Sequence, residues 1–321
     1  MRSMVRRLSL AIAALAAAAL LLGACGGGDD DGGKGIRVVA TTTQIGALVR
    51  EVAGNRVQLT VLLQAGADAH DYEPSPQDSR TIREANLVLK NGIGLDDWMD
   101  DLVKNSGTKA RVVVATDGVA VLEGDHGEEE HAGDAEKPED DHAHEEGDPH
   151  VWHDPMNVKV MAENVAAALA EVDPDNAAAY RERADAYKAR LDEVDAQIRS
   201  LVDSIPAANR KLVTNHKALA YFFERYGLEL VGAVIPSVSK DAQPSAKELA
   251  ELSDLVRSEG VKAVFAESEV DPKVAEQLAR ETGAKLVTGL YADSLGPPGS
   301  GAETIDGMLL HNARLIAEAL R

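Results

Sequence analysis

Residues 174–206 read PDNAAAYRERADAYKARLDEVDAQIRSLVDSIP. Tyr180, Ala184, Tyr187, Leu191, Val194, Ile198 and Leu201 recur at steps of three and four, the apolar stripe of an amphipathic helix. Asp173-Pro174 and Pro206 bracket the stretch as start and stop signals. Near thirty residues at ~1.5 Å each predict a helix of ~45 Å, long enough to cross a whole domain. A second helical pattern, over residues 157–171, precedes it.

What lies on either side of this helix sets the fold class. On the N-terminal side, residues 36–42 form a short β-branched run that suits a buried strand. A helical pattern follows through Ile45, Leu48, Val49 and Val52, and Gly54-Asn55 stops it. Strands are predicted at 57–62, 87–89 and 111–115, with helices near 76–85 and 95–104. On the C-terminal side the alternation resumes. Strands are predicted at 211–214, 228–234, 262–266 and 285–288, and helices at 216–226, 245–258, 272–281 and 303–320. Strands alternating with helices imply parallel sheets covered by helices. The expectation is an α/β protein of two lobes, each a parallel sheet flanked by helices, joined by one long rigid helix. The expected divisions are an N-terminal lobe at 36–156, linking helices at 157–206 and a C-terminal lobe at 207–321. Ligands of such sheets bind outside the carboxyl ends of the strands, so a cleft between the lobes is the expected site.

The chain has 321 residues, more than one core usually fills. Its formal net charge is −21, from 33 Lys and Arg against 54 Asp and Glu, which argues against nucleic acid as a partner. The charge is concentrated. Residues 123–148 hold 13 acids and one base, Lys137, together with His126, His131, His142 and His144. With so few apolar residues this stretch is expected to be a loop outside the core.

The N-terminus predicts export. Arg2, Arg6 and Arg7 precede an apolar run over residues 8–22, the pattern of a signal peptide over residues 1–24. Leu22-Gly23-Ala24-Cys25 follows and resembles a bacterial lipobox, in which cleavage leaves a lipid on the Cys. Cys25 is the one Cys of the chain, which excludes an internal disulfide framework and a Cys-rich metal site. Residues 25–35, rich in Gly and Asp, read as a tether. The expected location is outside the cytoplasm, at the outer face of the membrane or in a periplasm, anchored through Cys25.

Nine His remain as candidate metal ligands. His70 lies in Ala69-His70-Asp71-Tyr72-Glu73-Pro74, after a strand and before a helix. His150 lies in the Pro-bracketed turn Asp148-Pro149-His150-Val151-Trp152. His216 follows a strand in Thr214-Asn215-His216, at the start of the predicted helix. Asp293 follows a strand in Asp293-Ser294-Leu295. All four fall at carboxyl ends of strands, two from each lobe. Three imidazoles and a carboxylate suit a closed tetrahedral Zn²⁺ site, and suit Mn²⁺ less well because it prefers more oxygen. His153 reads as a hydrogen-bonded or exposed side chain.

With these motifs in this order, the chain resembles the metal-binding lipoproteins of zinc and manganese ABC importers, the cluster A-I substrate-binding proteins. The resemblance runs from Ile36 to the end, with Tyr221-Phe222 as a further match. It implies that His70, His150, His216 and Asp293 hold the metal. It also implies an ABC permease and its ATPase as partners, a monomer, and modest hinge motion. The manganese branch usually has Glu as its third ligand, so His216 favours zinc. The acidic His-rich loop is likewise a feature of zinc members, and Thr-Asn-His with Asp-Ser-Leu is similar to the AztC type. A zinc metallochaperone is a further candidate partner. His126, His131, His142 and His144 are candidate auxiliary metal ligands in the loop, weighed equally against a plain solvating segment. The family pattern has Leu where this chain has His153.

The expected function is high-affinity zinc capture outside the membrane for delivery to a permease, and not catalysis. The manganese carrier is the alternative. A zinc hydrolase would need an open metal position and a base, for which Glu267 is the nearest acid. There is no H-E-x-x-H motif. An adhesin role is the remaining reading.

Overall fold

The computed structural model describes residues 35–67, 69, 70, 72–123, 147–235 and 244–321. The chain divides into two units, Met1–Gly35 and Ile36–Arg321. The signal peptide, Cys25, nearly all of the tether, and His126, His131, His142 and His144 lie outside the described residues.

The second unit contains two parallel sheets. The first is built from β1 (Ile36–Ala40), β2 (Val57–Val61), β3 (Leu87–Lys90) and β4 (Arg111–Val114), in the order β2-β1-β3-β4. The second is built from β5 (Lys211–Thr214), β6 (Glu229–Ala233), β7 (Ala263–Glu267) and β8 (Lys285–Leu290), in the order β6-β5-β7-β8. Every described strand pair is parallel. Both sheets therefore have the same topology. β3 and β7 are buried at every position, as the continuous apolar runs of a sheet covered on both faces should be.

Helices α1 (Thr43–Ala53), α2 (Pro76–Glu84) and α3 (Trp98–Ser106) belong to the first sheet. Local signals place their starts. Thr42 caps α1 by accepting from Ile45 N, and Ser75 and Asp78 form a capping box ahead of Pro76. α4 (Pro155–Val172) and α5 (Ala177–Asp203) link the two sheets. α6 (Ala220–Tyr226), α7 (Ala246–Ser258), α8 (Lys273–Thr282) and α9 (Ile305–Leu320) follow with the second sheet.

The long helix is α5, and its 27 residues span ~40 Å. It is shorter than the sequence pattern because Pro174–Asn176 forms a separate 3₁₀ turn. Its buried stripe is Tyr180, Ala184, Tyr187, Leu191, Val194, Ile198 and Val202, so the last position is Val202 rather than Leu201. The stripe packs against α4, and α5 also touches α1 of the first lobe and α9 of the second. Each fully buried large side chain in that stripe contributes about 1.5–3 kcal/mol. One continuous apolar core includes residues of both sheets and of the linking helices, and a smaller one fills the space between the second sheet and α7 and α8.

One predicted element is corrected. Helix 216–226 begins only at Ala220, so His216 sits in a loop and not at a helix start. The backbone at His216 is committed elsewhere. Its N–H donates to Glu267 and its carbonyl accepts from Thr214 Oγ1, which ties it to the sheet.

Candidate metal centre

The four candidate ligands hang from loops at the carboxyl ends of strands, and those loops meet between the sheets. His70 follows β2. Its loop is held by Trp98, whose ring N–H donates to Ala69 O at 3.1 Å, and Tyr72 packs against the same indole. His150 precedes a 3₁₀ turn at Val151–His153. Pro149 O accepts from Asn91 Nδ2 at 3.1 Å, which seats this loop on the end of β3. His216 follows β5 and Asp293 follows β8.

Two carboxylates orient the rings. Asp148 accepts from both the backbone N–H (2.9 Å) and Nδ1 (2.6 Å) of His150. Glu267 accepts from the backbone N–H (3.1 Å) and Nδ1 (2.8 Å) of His216. A carboxylate on Nδ1 keeps that nitrogen protonated and turns Nε2 toward the centre as a lone-pair donor. Glu267 itself is fixed by strand order. β7 lies beside β5, and Glu267 N donates to Asn215 Oδ1 at 2.8 Å. This is the point where the strand order reverses, the place where such sheets hold ligands.

The inward atoms converge. His150 Nε2 lies 3.3 Å from His70 Nε2 and 3.2 Å from Asp293 Oδ1. His216 Nε2 lies 3.4 Å from Asp293 Oδ2. Donor atoms of His70, His150 and Asp293 all lie within 4.8 Å of one another. His216 stands outside that group of three and joins it through Asp293, with its ring 5.5 Å from that of His150. His150, His216 and Asp293 are buried and His70 is half-buried. Two ring nitrogens at 3.3 Å attract only where one of them carries the hydrogen or a cation bridges them.

The electrostatics agree. Burial opposes charge on His150, but hydrogen bonds to Asp148 and Asp293 outweigh it and push its pKa up to about 9. His216 is also raised well above the ordinary value, against burial, by Glu267 and Asp293. Burial alone would raise Asp293, but His216 and His150 hold it well below the usual carboxylate range. The centre is built to stabilise positive charge.

A pH dependence follows. A His whose folded pKa is raised contributes stability that is complete below its unfolded value near 6.5 and lost as pH rises through the folded value. For His150 that window runs from about 6.5 to about 9. Metal-free protein is expected to melt at falling temperature across this window. Cation binding displaces the same proton, so metal affinity is expected to strengthen across it. Melting curves and chelator competition at both ends of the window check both signs. A metal-free melting temperature that rises with pH would contradict this.

Two other His are placed. His153 is fully buried, so its exposed alternative is ruled out. Its Nε2 lies 3.1 Å from Ala292 O, and burial, then His150, hold its pKa down to about 3. His311 is half-buried, bonds Gly289 O at 3.0 Å and packs at a tilt against the Tyr291 ring. Sequence reasoning missed Asp148 as a positioning group and weighed Glu267 as a catalytic base against a plain structural acid, without linking it to His216. The available signals were an acid two residues before a candidate His, and a strand-end acid in a mostly apolar run. Among the described residues no helix is long and apolar enough to cross a membrane.

The chain is similar to known metal-binding proteins. Residues 38–319 match the family described as ZnuA, zinc-uptake complex component A, periplasmic. The manganese-binding lipoprotein MntA of Halalkalibacterium halodurans is 30% identical over 290 residues, covering 90% of this chain and 89% of that protein. The iron-binding protein YfeA of Yersinia pestis is 31% identical over 262 residues, covering 82% and 79%. Among solved structures, the periplasmic zinc-binding protein TroA of Treponema pallidum superposes with a TM-score of 0.76 at 28% identity. That match covers 89% of this chain and 99% of that one.

Proposed function

This chain belongs to the ZnuA family of metal ABC importer substrate-binding proteins, and from that premise we propose that its cargo is Zn²⁺, held by His70, His150, His216 and Asp293. The family supplies solute-binding components, not enzymes, and works with an ABC permease and an ATPase. The observation that carries the zinc reading is the donor spacing. Bonds of ~2.0–2.1 Å in a tetrahedron place adjacent donors ~3.3–3.4 Å apart. Three of the six donor pairs stand 3.2, 3.3 and 3.4 Å apart, and His216 has to draw in toward the other three donors to complete the tetrahedron. Three nitrogens and one carboxylate are also a zinc-type set, poorer in oxygen than Mn²⁺ prefers.

The residues divide the work simply. Asp148 and Glu267 present Nε2 of His150 and His216. Asp293 supplies the anionic donor between them. The loops come from both lobes, so capture of the ion draws on both, and release to the permease requires them to separate. We further assign export and a lipid on Cys25, which would hold the protein at the membrane beside its permease. The name of the lipoprotein MntA supports that location. Manganese is the second reading, favoured by the manganese-binding name of that same relative.

Competition decides between the two. Purified, metal-stripped protein is titrated with Zn²⁺ against Mn²⁺, and tighter zinc binding is expected. Preference for manganese would overturn the donor argument. Bound metal should also stabilise the fold. At a free concentration a thousandfold above Kd the gain is ~4 kcal/mol, or roughly 6–7 °C for a chain of this size. Thermal melting with and without zinc measures it.

A further inference from the structure

His153 is the buried titratable side chain that the proposed centre leaves unused. It is completely enclosed, and its Nδ1 has no hydrogen-bond partner among the described residues. Its Nε2 lies 3.1 Å from Ala292 O. A carbonyl only accepts, so the proton sits on Nε2 and Nδ1 is a bare, buried acceptor. Leaving such an atom unsatisfied is destabilising, and an apolar side chain of similar size would avoid that. That cost is borne beside one polar contact, the one to Ala292.

The contact is doubled. Trp152 Nε1, one residue earlier, donates to the same oxygen at 3.1 Å. Both rings belong to the 3₁₀ turn that starts directly after His150. One short turn thus carries a candidate ligand at its beginning and two ring donors aimed at a loop of the second sheet. The oxygen they hold belongs to the peptide that leads into Asp293.

Other anchors flank this loop. Tyr291 N donates to Asn312 Oδ1 at 3.1 Å, within the second lobe. Ser294 Oγ accepts from Gly66 N at 3.1 Å, in the loop that bears His70. Leu295 N donates to Thr43 Oγ1 at 3.0 Å, at the start of α1. Downstream of Asp293, then, Gly66 and Thr43 register the loop against the first lobe. Upstream, Trp152 and His153 do so.

We propose that His153 is a positioning residue for Asp293. With Trp152 it pins the Ala292 carbonyl and holds the Asp293 carboxylate in register between His150 and His216. The inference rests on the reading of Asp293 as a metal donor. It assigns to His153 a polar task that a space-filling side chain could not perform.

The test uses the exported part of the chain with His153→Leu, His153→Gln and Trp152→Phe. In metal-free protein, His153→Leu is expected to speed amide hydrogen exchange over residues 291–294. Exchange in β7 should stay as in wild type, and the melting temperature should not fall, because the substitution also removes the unpaired Nδ1. Zinc affinity, measured by chelator competition, should fall by about tenfold, the lower end for groups that orient a metal ligand. His153→Gln places an amide nitrogen where Nε2 stood and should restore most of both. Trp152→Phe removes the companion donor and should move both readouts in the direction of His153→Leu. It serves as the deciding variant if His153→Leu does not fold. Unchanged exchange at 291–294 with unchanged zinc affinity would reduce His153 to a space filler and end the proposal. If the wild type bound no zinc, the exchange arm would still decide whether His153 holds this loop, and the metal reading alone would fall.

Discussion

Asp293→Ala is expected to weaken zinc binding by two orders of magnitude or more. Asp293 is the one anionic donor among the four candidate ligands. It is buried, with one oxygen 3.2 Å from His150 Nε2 and the other 3.4 Å from His216 Nε2. Protein zinc sites of four ligands bind with about 10–16 kcal/mol, so an average ligand is worth ~3 kcal/mol, or more than a hundredfold. A charged ligand in a buried setting should exceed that average. The same substitution removes an anion that favours charge on His150, so the pKa of His150 should drop from about 9 toward its ordinary value. Asp148 remains, so the drop is partial. Calorimetric titration reads the affinity, and nuclear magnetic resonance of the imidazole reads the pKa. Full-strength binding by the variant would remove Asp293 from the site.

Glu267→Ala should be the next most damaging change, although Glu267 is no ligand in this reading. Its carboxylate accepts from both Nδ1 and the backbone N–H of His216. Removing it strands two buried donors, each at about 1–3 kcal/mol. It also frees the imidazole to take the other tautomer, with the proton on Nε2 where the cation should sit. Loss of such an orienting partner costs about 10–100-fold in metal affinity. Glu267→Gln keeps an acceptor oxygen and should cost less. Zinc titration of both variants, with melting curves of the metal-free proteins, separates the two effects. Equal damage from Ala and Gln would mean that charge, and not the Nδ1 hydrogen bond, is what Glu267 supplies. A hydrolase reading would instead make Glu267 a base, but both contacts with His216 already commit it to orientation.

Much of the architecture was legible because it is written in local periodicity. The stripe from Tyr180 to Ile198 reports a long helix without any knowledge of its partners, since 3.6-residue spacing is a property of the helix itself. The runs that become β3 and β7 are apolar at nearly every position because both faces are covered, and that too is visible in order of residues. His70, His150, His216 and Asp293 were recognisable because each sits just beyond such a run or in a Pro-bracketed turn. The boundaries that failed were those set by distant contacts. His216 was expected at a helix start. Glu267, from 51 residues away, holds its backbone in a loop.

By itself, then, the sequence determined which elements form, their order, and which side chains are candidates to bind a cation. Only the tertiary structure decided how those side chains are presented. Strand order puts β7 beside β5, and so brings Glu267 to His216. The turn after His150 reaches across 139 residues of sequence to Ala292, and so turns His153 from an unplaced histidine into a buried donor. Tautomer, ring orientation and pKa depend on neighbours within about 4 Å. Those neighbours come from other strands and loops, so no pattern along the chain could name them.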